Sequence, residues 1–240
     1  MQSDAIVMHD EEKGQGNAAG VGRHSGPESG AQLLSEPLVD IDLLTGLPPS
    51  TPLELDISGD TDLPVPIAAS GDHCDCCALT TNKLWQGARA GLEEAHAVCT
   101  LCYLTGHLDS PTAAHGRLAY LPGLDTTDAL HLQRRALLAI LGGDEAQQAH
   151  GQRVWTWMDN HSREVEAAWG TARAGEFAQA MKRLPPYKRS QLQARLSGCV
   201  LMLPADMFDD LNLLLPSGNT VQAALSSQHW DAYIRSDLYV

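Results

Sequence analysis

The chain reads as an α+β protein, mainly helical, organised around a small cysteine-rich module. Three features lead to that class: two Cys-x-x-Cys pairs mid-chain, apolar stripes at helical spacing after residue 125, and a few short apolar–polar alternations. Charge and aromatic content mark where the folded part starts. Residues 1–70 hold 12 acidic and 2 basic side chains of a chain whose net charge is −14, and all five tryptophans lie after them. A Gly-, Ser-, Pro- and acid-rich stretch without aromatics buries too little apolar area to offset its ordering entropy. Residues 1–37 are therefore expected to form a disordered acidic extension, 38–210 the folded domain and 211–240 a helical tail.

The elements follow in order. Leu53, Leu55 and Ile57 alternate with Pro52, Glu54 and Asp56, the period of a half-buried strand. A Pro/Gly/Asp loop covers 60–72, and the sequence TNKLWQGARAGLEEAHAV predicts a helix across 81–98. GRLAYLPG (116–123) reads as a short strand with Leu118 and Tyr120 on one face. Asp125 offers an N-cap, Leu130, Leu137, Leu138 and Leu141 supply a stripe, and Gly142-Gly143 stops that helix. A second helix is predicted from Asp144 to Trp169, with Val154, Trp155, Met158 and Val165 near helical spacing and Gly170 as its stop. Shorter helices are predicted over 174–183 and 187–198, and a last one over 220–235. LMLP (201–204) and LLLP (213–216) are too short to constitute a repeat.

Cys74 and Cys77 are two residues apart, as are Cys99 and Cys102, with 21 residues between the pairs. Each such turn brings two thiolates onto one tetrahedral ion, and two turns close its shell. A closed shell has no position for water, so the ion, read as zinc, stabilises the fold and activates no nucleophile. Cys76 and His96 are alternative ligands at neighbouring positions, and His73 is close by. The four paired cysteines are favoured because their turns match, leaving Cys76 a spare thiol and Cys199 a core residue. No apolar run approaches the ~20 residues of a membrane span. The N-terminus has neither the basic start nor the apolar centre of a signal peptide. A cytoplasmic protein is expected, in which cysteines serve metal rather than disulfides. Net acidity weighs against a nucleic-acid binder, whose phosphate contacts need a basic face.

HCDCC, then HAVCTLCYL, then GRLAYLPGL and an apolar helix resemble the IcmJ/DotN family of type IVB secretion systems and its conjugative-plasmid relatives. HGQRVWTWMDNHSREVEAAWGT looks like that family's long helix, GEFAQAMKRL follows in place, and PLELDIS resembles its opening strand, so the likeness spans about 52–210. The stretch before Cys74 is short and lacks the family's basic helix, and both termini are additions. The resemblance implies a treble-clef, HNH-like four-cysteine zinc module packed against a helical C-terminal part. It implies a non-catalytic adaptor that binds the coupling ATPase and other coupling-complex subunits at the inner face of the inner membrane. HNH nucleases place a metal-binding, water-activating histidine between the two cysteine pairs. Here only Asn82 and His96 are available, and His96 is three residues from Cys99. Enzymatic activity is therefore not expected, and an HNH-like protein that binds or cleaves nucleic acid is the alternative.

The remaining residues have ordinary readings beside functional ones. Trp155 and Trp157 lie on different helix faces, one for the core and one for the surface. His131, His150 and His161 lack metal-ligand spacing and read as surface or hydrogen-bonded histidines. KRLPPYKR (182–189) is the dense basic cluster, a solvated loop by default. The acidic-apolar stretch 36–58 suits a short docking motif or a tether. The carboxylates show no paired arrangement for acid–base chemistry.

Overall fold

The computed structural model describes residues 54–58, 66–87 and 96–226. All lie in the larger of two units into which the chain divides, Ile41–Val240. The acidic extension over 1–37 is outside the described residues. Two small sheets and eight helices are seen among those described. β1 (Ala68–Ala69), β2 (Leu84–Gly87) and β3 (His96–Cys99) form an antiparallel sheet in that order. α1 (Thr100–Thr105) and α2 (Pro111–Ala114) lead to β4 (Arg117–Tyr120). α3 (Thr126–Gly142), α4 (Glu145–Asn160), α5 (Ser162–Trp169), α6 (Ala174–Arg183) and α7 (Pro186–Arg195) follow. β5 (Cys199–Met202) then pairs antiparallel with β4, and α8 (Val221–Ala224) comes after two 3₁₀ turns. Among the described residues no helix is long and apolar enough to cross a membrane.

Local chemistry sets the helix ends where the sequence placed them. The Asp125 carboxylate accepts from Thr127 N and opens α3. Asp144 and Gln147 close a reciprocal capping box on α4, satisfying two orphan backbone donors. Gly170 takes φ +79 after α5, a left-handed conformation that suits glycine. α3 and α4 pack antiparallel at close range, because a Cβ on Gly151 would stand 2.8 Å from both Ala136 O and Ala139 Cβ.

Three expectations are corrected. The helix expected across 81–98 is not formed: 84–87 and 96–99 are the paired strands β2 and β3, with Leu84 opposite Cys99 and Gly87 opposite His96. Strand pairing sets Cys99 beside the first cysteine turn, and this tertiary demand overrides the helical composition of the segment. The long helix from Asp144 to Trp169 is two, α4 and α5, separated at His161. Glu54–Ser58 belongs to no strand, and Asp56 is buried along with Leu55 and Ile57. Asp56 N donates to Thr105 O, and Leu108 N donates to Asp56 O, so this segment pairs with the turn after α1. Of the helix expected over 220–235, the structure forms α8, which ends at Ala224 with Leu225 and Ser226 outside it, and 227–235 lie outside the described residues. Leu214 and Leu225, in the stretch expected to form the tail, are buried in the main core.

The β4–β5 sheet fills the space between helices. Leu118, Ala119 and all four residues of β5 are buried. Both outer edges are closed. On β4, Leu118 N donates to Ala172 O and Tyr120 N donates to His161 O. On β5, the fully buried Gln133 amide of α3 donates to Leu201 O at 2.8 Å and accepts from Leu203 N at 2.7 Å.

Candidate metal centre

Cys74 and Cys77 sit in a tight turn in which Cys74 N donates to Leu79 O and Ala78 N to Cys74 O. Ala78 adopts φ +53, a left-handed conformation costing a non-glycine residue of the order of 1 kcal/mol. Asp75 fastens the turn to β3: its carboxylate accepts from Ala97 N at 2.7 Å and its own N donates to Ala97 O. Cys99 closes β3, and Cys102 lies in the first turn of α1. One loop turn and one strand–helix junction thus present two thiols each.

All four cysteines are buried, and their Sγ atoms lie within 4.8 Å of one another. Cys77 Sγ and Cys99 Sγ are 3.6 Å apart. A tetrahedral ion with bonds of about 2.3 Å separates its sulfurs by ~3.8 Å, so the arrangement fits such an ion. None of the four is in a disulfide. Crowding splits their acidities: hydrogen bonding from Cys102 and its neighbours holds Cys77 well down, while Cys74 and the other thiols push Cys102 well up. A bound metal cation supplies the charge that lets all four ionise together. Cys76 is buried beside the four, its thiol within hydrogen-bonding reach of Cys74 and Cys102, and His96 points its Nδ1 toward Asp75 at 3.8 Å. Cys199 is in β5, its thiol pushed up to about 11 by burial.

Arg134, which belongs to no cysteine or histidine motif, completes the site. Its Nη2 donates to Cys99 Sγ at 3.0 Å and lies 3.7 Å from Cys77 Sγ. Burial opposes its charge, but Cys99, Cys77 and Cys102, when ionised, outweigh this and raise its pKa. Nη1 contacts His131 Nδ1 at 2.9 Å, and His131 Nε2 contacts Cys77 O at 2.9 Å. A guanidinium only donates, so Nδ1 must accept, and Nε2–H is then assigned as donor to the Cys77 carbonyl. With a dication bound, four thiolates would leave two negative charges in a buried site, and Arg134 would offset one of them. A signal was present in the sequence: Arg134 lies four residues after Leu130 and four before Leu138, on the buried stripe of α3.

The other singled-out residues stay apart from this site. Trp155 turns inward and its Nε1 donates to Leu203 O, whereas Trp157 is 46% exposed with its ring against His161. Asn82 lies before β2 and caps no described helix. No protein-family model matches the chain, and no curated protein matches its sequence.

Proposed function

We propose that Cys74, Cys77, Cys99 and Cys102 bind one structural zinc ion in a treble-clef module. We further propose that the chain is a non-catalytic adaptor of a type IVB secretion or conjugation apparatus, docking on its coupling ATPase at the inner face of the inner membrane. The observation that carries the reading is the closed, buried four-thiolate shell with a cysteine turn, a β-hairpin pairing and a helix in that order. A shell of four thiolates at tetrahedral spacing favours zinc and holds no place for substrate. The sequence resemblance supplies the apparatus and the partner.

One observation favours the alternative, an HNH-like protein that binds or cleaves nucleic acid. His96 opens β3 beside the metal turn, 3.8 Å from Asp75, and its Nε2 is buried with no hydrogen-bond partner. Purification of the tagged chain from its native host, with metal analysis and mass spectrometry on one sample, separates the two. One zinc per chain with a coupling ATPase among the strongest co-purifying proteins supports the adaptor. Zinc with nucleic acid and a metal-dependent nicking activity lost in His96→Ala supports the alternative, and a chain without metal overturns both.

A further inference from the structure

Between Glu176 and Asp206 the chain has no carboxylate and five cations, Lys182, Arg183, Lys188, Arg189 and Arg195, in a protein of net charge −14. They occupy the end of α6, the Pro185-Pro186 corner and α7. α7 buries none of its residues, and Tyr187 at its start is 64% exposed. Two of the five are engaged by the fold. Lys182 pairs with the buried Asp109 at 2.9 Å, and Arg189, whose Nε donates to Leu184 O, lies near the buried Asp56. Arg183, Lys188 and Arg195 are exposed, and among the described residues none has a carboxylate within ion-pair distance. Lys188 and Arg195 are seven residues apart and so fall on one stripe of α7. Arg195 is held by stacking over Trp169 at 4.4 Å, and Lys188 sits 6.0 Å from the Tyr187 ring.

We infer that this corner docks a short acidic segment of a partner protein, with Arg183, Lys188 and Arg195 facing its carboxylates and Tyr187 packing on its backbone or an apolar neighbour. Clusters of this kind recognise acidic motifs through charge-assisted hydrogen bonds. Size and charge choose the occupant. α7 is ten residues, about 15 Å, which four or five residues of extended chain would span. A nucleic acid longer than the corner runs on along the surface of a molecule whose net charge is −14, where phosphates within a screening length of roughly 8 Å of carboxylates are repelled. A short acidic segment ends before that surface. The inference goes beyond the adaptor reading and needs neither the identity of the metal nor that of the apparatus.

The test titrates the full chain into a fluorescein-labelled oligoglutamate peptide and into an oligothymidylate of matched charge, reading anisotropy at low salt. The peptide is expected to bind, and Arg183→Glu/Lys188→Glu to weaken it about tenfold. Glutamate suits position 188 in the first turn of α7 but opposes the dipole at 183, the last residue of α6, so the variant's far-UV circular dichroism is first matched to the parent's. Arg153→Glu/Arg163→Glu, equal in charge but placed on exposed positions of α4 and α5, should change affinity by less than about twofold. Tyr187→Ala should weaken the peptide by about threefold. Tighter binding of the oligothymidylate, equal losses in both charge-reversed variants, or no peptide binding at all each overturns the proposal.

Discussion

Arg134 and His107 are buried polar side chains in different situations. Arg134 donates through Nη2 to Cys99 Sγ and through Nη1 to His131 Nδ1, with only its Nε buried without a partner. Removing a group that orients and neutralises the metal ligands weakens such sites by about 10–100-fold. Arg134→Leu should therefore lower metal affinity by that factor, measured by competition with a chromophoric chelator, while His131 loses the donor that fixes its tautomer. His107 stacks on Tyr103 at 4.3 Å, but both its ring nitrogens are buried without a hydrogen-bond partner. Burial pushes its pKa below 6.5, against a weaker pull upward from Asp109. The folded state then binds fewer protons than the unfolded one, so stability is full above pH 6.5 and falls as pH drops from there toward the folded pKa. Asp109 also has a lowered pKa, for a different reason and with the opposite charge consequence. Its burial raises the pKa, but Lys182 and Ser58 outweigh this and hold it below 3.8, so its contribution is lost only in stronger acid. His107→Phe should keep the stack on Tyr103 and flatten the fall of denaturant stability below pH 6.5. It should also add roughly 1 kcal/mol at neutral pH by deleting two orphaned polar atoms. An unchanged slope in urea titrations across that range would assign the pH dependence to other groups.

Among the elements, α3 has the widest reach, through three consecutive side chains. Gln133 joins it to β5, Arg134 to the cysteine cluster, and Arg135 to the C-terminal stretch, donating to Ala224 O, Leu225 O and Ser226 O. Gln133→Leu keeps the volume but leaves Leu201 O and Leu203 N buried without this partner. A loss of about 2–4 kcal/mol is expected in chemical denaturation. The helices were the legible part of the sequence. Asp125, Gly142-Gly143 and Gly170 bound them correctly because caps and stops act through neighbours in the chain. The cysteine turns were legible for the same reason, since each pair is local. β2 and β3 were not, because their pairing spans Leu84 to Cys99 and is enforced by the cluster rather than by local preference. The break at His161 was also hidden, with no proline or glycine between Gly151 and Gly170 to announce it. Gln133 and Arg134 escaped notice because polar residues on a helix are read as surface until their neighbours in space are known.

At the scale of the whole molecule, the cysteine cluster and the helical part are joined by direct contacts of Arg134 and His131 of α3 with Cys99 and Cys77, and are expected to unfold as one. Structural metal sites supply roughly 10–16 kcal/mol, as much as or more than the net stability of a typical domain. A strong chelator should therefore raise hydrogen exchange throughout β1–β3 and α1 first, then along α3. Protection that persists in α3 at its original level would show two independent bodies. The closed edges of the β4–β5 sheet have a bearing on how such a molecule fails. β5 is CVLM, uncharged and apolar, of the composition that seeds intermolecular strand addition. In the folded chain one glutamine side chain occupies the place where a foreign strand would add, and the backbone at His161 and Ala172 shields the other side. Because Gln133 is next to Arg134 in the same helix, loss of the proposed metal would loosen α3 and also uncover this strand. Self-association of the metal-depleted protein should then begin at residues 199–202, ahead of any global unfolding.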